Sequence, residues 1–370
     1  MLLACSSSMS GVPDNAADLT PSPAAALPPV VLGVLQQGAY ATVPVYPRAD
    51  KPPTFSDGQR LSIAQALHVA AMRTQLRFLA DGTSSGGTFI AEITNAGLDA
   101  AVSVLSGPDN AAGAVPPLTQ AQIPAYKTHL STALDSYTTA LVMVENEEIA
   151  PKFYAGTPST YALELAAAVA VGRAHGVPVT NGGLTNLPAR QLTWNSYYVA
   201  GDFTRADSFA RRAFSPQTTA QLPDATHPNR PLPSDFQAQL TLAQQYLAVY
   251  HGSAMDYLNV HLYFQLAPVG SSSGVTTPDE LTSTMNEILT YVAAASGKPV
   301  VSGEMGQYDV NPATVDAMLR AAQLSHLAYA IWFSGDGDPA YALVSSASNA
   351  AGYTLRPAGS EFAAMAARLE

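Results

Sequence analysis

The stretch from Thr277 to Glu304, TPDELTSTMNEILTYVAAASGKPVVSGE, contains a helix and a strand with their own boundary signals. Thr277, followed by a proline and two acidic residues, predicts a helix start, because its hydroxyl can accept a hydrogen bond from an amide of the first turn. Gly297 predicts the end of that helix, and the apolar run 299–304 predicts a buried strand. One complete α/β unit is therefore visible here.

The same alternation of short apolar runs and longer helical patterns continues on both sides of this stretch. Gly97 and Gly176 predict two more helix ends just before strands. Repeated units of this kind favour a closed (β/α)8 barrel, the TIM barrel, over an open doubly wound sheet, and no G-x-G-x-x-G motif follows the first strand. The eight predicted strands are Val30–Gln36, Ala70–Leu76, Leu98–Leu105, Ala140–Glu147, Val177–Asn181, Tyr257–Phe264, Pro299–Glu304 and Leu327–Phe333.

Residues 30–370 are predicted to form one domain, with long loops after the first strand (37–55) and the fifth (182–233). Both loops contain aromatic residues that can stack on the C–H face of a sugar ring. Trp194 is the main candidate for ligand contact. The alternative interpretation, a loop packed around its own small core, stays open.

Residues 1–29 form a Pro/Ala/Ser-rich stretch that predicts a flexible tether. Its start, Leu2-Leu3-Ala4-Cys5, resembles the signal box of bacterial lipoproteins, in which the cysteine is lipidated. Almost all of the basic and apolar segment that precedes such a box is absent from this sequence. The pattern predicts a secreted, periplasmic or cell-surface protein that contacts a membrane only through lipidation of Cys5 in a full-length precursor.

Charge and composition restrict the partners. Lys and Arg number 17 against 28 Asp and Glu, and the net charge of −11 disfavours nucleic acid and anionic membrane surfaces. An uncharged glycan is a better match. The single cysteine excludes an intramolecular disulfide, and no Cys/His cluster has zinc-site spacing, so we predict neither metal nor cofactor.

Carboxylates follow two of the predicted strands. The apolar run 141–144 meets Glu145, Glu147 and Glu148, and the seventh strand ends at Glu304. The carboxyl ends of all strands meet at one rim of a barrel, and strands four and seven lie across it from each other. Two facing carboxylates are what glycoside hydrolysis requires. Glu147 and Glu304 are therefore the candidate catalytic pair, with Glu145 and Glu148 as open alternatives to Glu147.

Polar and aromatic side chains occur near the ends of other strands. Arg73 is a charge inside the second strand and needs a carboxylate partner if buried. His261 and Tyr263 share one face of the sixth strand by alternation. Trp332, in the eighth strand, can form an apolar floor under a sugar ring. Each has an ordinary structural interpretation, but together they indicate a substrate site.

With these residues in place, the sequence resembles the retaining β/α-barrel glycosidases of glycoside hydrolase clan A, and its pattern is similar to family 5 cellulases and mannanases. Two departures stand out. The chain has Leu105-Ser106-Gly107 where family 5 usually has a histidine after strand three, and Glu148 where a proline usually follows the acid/base. The matching residues are Arg73, Asn146-Glu147, His261-x-Tyr263, Glu304 and Trp332.

The resemblance implies that Glu147 is the acid/base and Glu304 the nucleophile of a retaining mechanism, and it implies roles for their neighbours. Asn146 is expected to hydrogen-bond the sugar 2-hydroxyl, Arg73 and Tyr263 to hold Glu304 ionised, and Trp332 to support the sugar ring. The implied activity is hydrolysis of β-linked glycans or oligosaccharides.

Three other interpretations remain. A non-hydrolytic carbohydrate-binding barrel is the first alternative, and intact carboxylates at both strand ends count against it. A different hydrolase or lyase lacks support from an H-E-x-x-H helix or a P-loop, neither of which is present. A cell-surface structural module does not explain polar residues gathered at strand ends.

Overall fold

A computed structural model describes residues 30–36, 55–78, 84–107, 114–268, 274–334 and 342–368. The tether with Cys5 and the loop after the first strand, up to residue 54, lie outside these residues. Eight parallel strands form the centre of the structure. They are β1 (Val31–Gln36), β2 (Ala71–Phe78), β3 (Asp99–Leu105), β4 (Leu141–Val144), β5 (Val179–Asn181), β6 (Leu258–Phe264), β7 (Val300–Gln307) and β8 (Tyr329–Ser334).

Helices surround these strands. They are α1 (Asp57–Ala66), α2 (Gly87–Asn95), α3 (Ile123–Ser136), α4 (Pro158–His175), α5 (Asn186–Val199), α6 (Phe203–Ala213), α7 (Pro216–Thr219), α8 (Ser234–Gly252), α9 (Pro278–Ser296), α10 (Pro312–Leu324) and α11 (Pro357–Ala366). The signals quoted for α9 are confirmed: Thr277 Oγ1 accepts from the Glu280 amide at 3.2 Å, and Gly297 adopts φ 67°.

The strands form a nearly closed barrel. Their order is β5-β4-β3-β2-β1-β8-β7-β6, so the first and last strands of the chain are neighbours. β5 and β6 complete the ring through two parallel bridges, Thr180 with Tyr257 and Leu184 with Val260. This confirms the predicted (β/α)8 barrel. Outside it, Ser84–Ser85 pairs with β2, and Val344–Ser346 forms a hairpin with Tyr353–Leu355.

The apolar core has two unequal layers. The larger one lies between strands and helices, where the outward side chains of each strand pack. The smaller one fills the barrel below the site. Its buried members are Ala101, Leu141, Met143, Val301 and Ile331. Because side chains alternate along a strand, membership of the inner layer fixes which residues of each strand face the barrel axis.

The segment after β5 is not the long loop predicted from the sequence. It contains α5, α6 and the single-turn α7, and its aromatic residues pack with one another. Among the described helices, none combines the length and apolar character required to cross a bilayer.

Candidate active site

β4 ends before its carboxylates begin. The predicted strand reached Glu147, but the ladder stops at Val144. Glu145 and Glu147 then adopt φ 66° and 46°, the left-handed region that non-glycine residues rarely occupy. The backbone bends at Glu145 and Asn146. The turn leaves the Glu147 side chain 13% exposed at the mouth of the barrel.

β7 aims its carboxylate differently, through a β-bulge. Asn259 of β6 pairs with Val301, whereas His261 pairs with Glu304, so β7 contains one extra residue between these pairs. Val301 faces the barrel interior. Simple alternation would therefore turn Glu304 outward, and the bulge turns it inward instead. Its side chain is 14% exposed.

The two strand ends bring their carboxyl groups together. One oxygen of Glu147, one oxygen of Glu304 and a ring nitrogen of His261 all lie within 4.8 Å of one another. The group is at the carboxyl ends of the strands, where barrel active sites form. Glu147 and Glu304 are thus close enough to act on the same bond.

Glu304 accepts two hydrogen bonds. Arg73 Nη1 donates to its Oε2 at 3.1 Å, and the Tyr263 hydroxyl donates to its Oε1 at 2.5 Å. Burial, followed by the neighbouring Glu304, raises the pKa of Tyr263 well above its usual value, so Tyr263 remains a phenol donor. A cation and a neutral donor together stabilise negative charge on Glu304.

Arg73 organises both sides of the site. Its Nε donates to Ser103 Oγ at 2.9 Å, and its Nη1 to the Gly303 carbonyl at 3.0 Å. Its Nη2 donates to Asn146 Oδ1 at 2.6 Å. The expected carboxylate partner is Glu304, and the same guanidinium also holds the turn that carries the second carboxylate.

Glu147 lies in a different environment. Burial raises the pKa of its carboxyl group, and the nearby charges of Lys152 and Arg73 only partly oppose this. Its Oε1 lies 3.1 Å from His261 Nδ1. A carboxyl group in these surroundings keeps its proton to higher pH than a solvated glutamate does.

The ring of His261, which contacts Glu147, is uncharged, and its neighbours decide which ring nitrogen carries the proton. Burial is the main cause that lowers its pKa to about 3, so the ring is uncharged near neutral pH. Its Nε2 faces two N–H donors at 3.5 Å, Arg73 Nη1 and Asn259 Nδ2, and must therefore be the acceptor. The ring proton is then on Nδ1, which donates to Glu147.

The same three groups, Glu147, His261 and Glu304, have the composition of a metal site. Metal ligation through Nδ1 would move the ring proton to Nε2, where it would point at the two donors of Arg73 and Asn259. Arg73 also places a positive charge 3.1 Å from Glu304. The donor set therefore fits proton transfer better than metal binding.

The two alternative acids of the β4 end point away from the site. Glu145 is fully buried, and its Oε1 accepts from the Ser106 amide at 2.7 Å. Glu148 is also buried, and its Oε1 accepts from the Tyr250 hydroxyl and from Asn181 Nδ2 at 3.1 Å. Of the three glutamates, the structure brings Glu147 to Glu304, as expected.

Two buried carboxyl groups behind the site, those of Glu148 and Glu164, have raised pKa values. Burial is the main cause that raises the pKa of Glu148 to about 7. Burial, followed by the negative charge of the neighbouring Glu145, raises the pKa of Glu164 well above its usual value.

Both tryptophans lie away from the site, and the expectation that they contact sugar is wrong. Trp332 is 0% exposed and packs edge-on against Phe362 of α11, because alternation turns Ile331 and Phe333 inward. Trp194 is also 0% exposed and stacks on Tyr198 with ring centroids 5.1 Å apart. The packed-core interpretation of the β5–β6 segment was the correct one for Trp194.

Three residues at the site were not identified from the sequence. Phe333, rather than Trp332, lies beside Tyr263, with ring centroids 6.2 Å apart. Ser103 and Asn259 contact Arg73 and Gly303 respectively. A signal for Asn259 was available, because it alternates with His261 and Tyr263 along β6 and therefore shares their face.

Solved structures resemble the chain at low sequence identity. The β-glycosidase BGL167 matches with a TM-score of 0.55 and 11% identity, over 92% of this chain and 96% of its own. A glucosidase from Croceicoccus marinus gives 0.54 and 11% over 93% and 67%, respectively. The endo-β-1,4-glucanase Xac0029 from Xanthomonas axonopodis pv. citri gives 0.50 and 14% over 92% and 99%.

No protein family model matches the chain, and no curated protein matches it in sequence. The structural likeness, at these identities, shows that the chain adopts the barrel fold of the glycoside hydrolases it resembles.

Proposed function

We propose that this protein is a retaining glycoside hydrolase that cleaves β-linked glycans or oligosaccharides by double displacement. The observation that carries the proposal is the separation of Glu147 and Glu304, which place one carboxyl oxygen each within 4.8 Å of the other. Retaining glycosidases hold their two carboxyl groups about 5 to 5.5 Å apart, whereas inverting enzymes leave about 6.5 to 9.5 Å for a water molecule.

In the first step, a carboxylate oxygen of Glu304 attacks the anomeric carbon while the glycosidic C–O bond breaks. Glu147 transfers its proton to the departing oxygen, so the aglycone leaves as an alcohol and the sugar remains as an ester of Glu304. The surroundings support this division. Arg73 and Tyr263 favour a charged Glu304, and burial favours a protonated Glu147.

In the second step, Glu147 is a carboxylate and takes a proton from water as the water oxygen attacks the anomeric carbon. The bond to Glu304 breaks, which restores both groups to their starting states. The Nδ1 proton of His261 stabilises Glu147 while it is charged. Because His261 stays neutral, it does not compete for the transferred proton.

The names of the structural neighbours agree with this chemistry. They include an endo-β-1,4-glucanase and a β-glycosidase, which supports the choice of β-linked substrates for this chain. A net charge of −11 favours a neutral glycan over an acidic one. Asn146, whose Oδ1 is held by Arg73, is the proposed partner of the sugar 2-hydroxyl.

Export remains part of the proposal. The Leu2-Leu3-Ala4-Cys5 box supports lipidation of Cys5 and a secreted, periplasmic or cell-surface location. Labelling of a full-length precursor with a radioactive fatty acid tests this, with Cys5→Ala as the unlabelled control. Labelling that persists in Cys5→Ala would contradict the assignment.

The decisive test is a screen of β-linked glycan polymers and aryl β-glycosides, with the anomeric proton of the product followed by NMR. The β-anomer is expected to form first. An initial α-product would mean inversion and would contradict double displacement. Binding by calorimetry without turnover would instead support the alternative of a non-hydrolytic carbohydrate-binding barrel.

A further inference from the structure

The seam between β5 and β6 has little backbone pairing. β5 spans only the 3 residues Val179–Asn181, and the seam consists of two isolated bridges. By contrast, β2 and β3 pair in a continuous register from Ala71 to Arg77. Side chains must therefore complete the hydrogen bonding of this buried seam.

Two fully buried asparagines do so. Asn181 Oδ1 accepts from the Asn259 amide at 2.7 Å, and Asn181 Nδ2 donates to the Asn259 carbonyl at 3.1 Å. Asn259 Nδ2 in turn donates to the Asn181 carbonyl at 3.2 Å. The side-chain amide of Asn181 thus occupies the place of a missing backbone partner and fixes the orientation of Asn259.

Asn259 reaches the backbone that precedes the proposed nucleophile. Its Oδ1 accepts from the Gly303 amide at 2.6 Å, inside the β7 bulge. The Gly303 carbonyl is held from the other side by Arg73. A Cβ atom at Gly303 would lie 2.8 Å from the Asn259 amide, so glycine permits this close approach. The bulge that turns Glu304 inward is therefore fastened by side chains.

The same amide group reaches the acid/base. Asn259 Nδ2 faces His261 Nε2 at 3.5 Å, and this donor helps to keep the ring proton on Nδ1. His261 Nδ1 contacts Glu147. The Asn259 side chain thus connects the backbone of Gly303, next to Glu304, with His261, which contacts Glu147.

We propose that Asn259, oriented by Asn181, is a positioning residue that sets the separation of Glu147 and Glu304. This inference rests on the proposed function, since the separation matters because it decides how the two carboxylates share one reaction. Asn259 acts through Gly303 on one side and through His261 on the other.

The test uses three near-isosteric variants of the full chain. Asn259→Leu removes both contacts, while Asn259→Asp keeps an acceptor for the Gly303 amide and removes the donor that faces His261. Thr282→Val is the matched control, because Thr282 is a buried residue of α9, outside the site, and its Oγ1 donates to the Ala317 carbonyl at 3.0 Å. Crystal structures, melting temperatures and kinetics on 4-nitrophenyl β-D-glucoside and β-D-cellobioside are compared.

We expect Asn259→Leu to change the Glu147–Glu304 separation and to lower kcat by about 10²-fold, with KM within roughly twofold. Thr282→Val should lose stability with unchanged kcat. For Asn259→Asp, we expect the separation to be preserved. The loss of activity of Asn259→Asp at low pH should begin at a higher pH than in the wild type, because a carboxylate beside Nε2 favours protonation of His261.

Unchanged separation and kcat in Asn259→Leu would overturn the inference, as would an equal loss of kcat in Thr282→Val. If Asn259→Leu does not fold, Asn259→Asp becomes the test of the inference. A pH profile of Asn259→Asp identical to that of the wild type would then overturn the inference. If the wild type cleaves no glycoside, the proposed function fails, whereas the crystal structures still test the separation.

Discussion

The ends of β4 and β7 each deliver a glutamate to the same place, and they do so in opposite ways. β4 stops, and two left-handed residues carry Glu147 into the mouth. β7 continues, and a bulge turns Glu304 inward within the strand. Glu304 accepts from a cation and a phenol, whereas Glu147 is buried beside a neutral imidazole. Identical side chains thereby acquire different hydrogen-bond partners and different surroundings.

The largest effect is expected for Glu304→Gln, which keeps the shape of the side chain and removes the attacking charge. Turnover should fall by roughly 10⁴-fold or more. The melting temperature should change little, because the amide oxygen can still accept from Arg73 while the amide NH2 donates to the Tyr263 hydroxyl oxygen. Steady-state kinetics and thermal melts measure both. Full activity in this variant would refute the assignment of Glu304.

For Glu147→Ala, we expect a loss of about 10²- to 10⁴-fold on substrates with poor leaving groups. Aryl glycosides with good leaving groups need less proton donation and should lose less. Added azide should raise the rate and give a glycosyl azide of retained configuration, since it attacks the ester of Glu304 from the side of Glu147. An azide product of inverted configuration would mean that Glu147 is the nucleophile and Glu304 the acid/base, the reverse of the assignment.

The wild-type pH profile gives a second view of Glu147. Its raised pKa means that the proton is lost at higher pH than in a solvated glutamate, so activity should decline only as pH rises through that raised value. Glu147→Ala should lack this basic limb on substrates with good leaving groups. If activity of Glu147→Ala still declines at the same high pH, the decline is caused by another titrating group.

A smaller effect is expected for Tyr263→Phe, which removes one of the two donors to Glu304 and leaves Arg73 in place. A hydrogen bond to a charged group contributes about 1.5 to 3 kcal/mol, or about 10- to 150-fold in rate. The loss should appear in kcat more than in KM. A change confined to KM would indicate that Tyr263 binds sugar rather than supporting the nucleophile.

The smallest effect concerns stability. Burial raises the pKa of Glu148 from 4.5 to about 7 in the folded protein. The folded state therefore binds a proton that the unfolded chain releases, so this contribution is complete below about pH 4.5 and is lost as pH rises towards 7. Glu148→Gln, which cannot ionise, should show a smaller decline in melting temperature from pH 5 to pH 8. An equal decline would place the pH dependence in other buried acids.

Much of the fold could be predicted because each strand is a short apolar run and the helices carry caps and terminal glycines. It was harder to predict which side chains of each strand face the barrel axis and which face the helices. In a barrel, both faces of a strand are buried, so alternation carries no polar signal, and nothing in the run Ala330–Phe333 shows that Trp332 faces the helices. The choice is made by how the inner layer around Ile331 fills.

The site was predictable to the level of strand ends. Glu147 and Glu304 were identified because carboxylates follow apolar runs, but their orientation depends on backbone irregularities. The positive φ values at Glu145 and Glu147 and the bulge at Gly303 arise from tertiary contacts that a linear pattern does not record. Simple alternation would have turned Glu304 away from the site.

The left-handed backbone at Glu147 has an evolutionary consequence. An L-residue with a side chain costs about 1 to 2 kcal/mol in this conformation, whereas glycine adopts it freely. With φ 46° at Glu147, selection for heat resistance alone would favour glycine at the position of the proposed acid. If the proposal holds, a lineage released from its substrate would gain stability by replacing Glu147, and glycine there would mark descendants that no longer use this side chain.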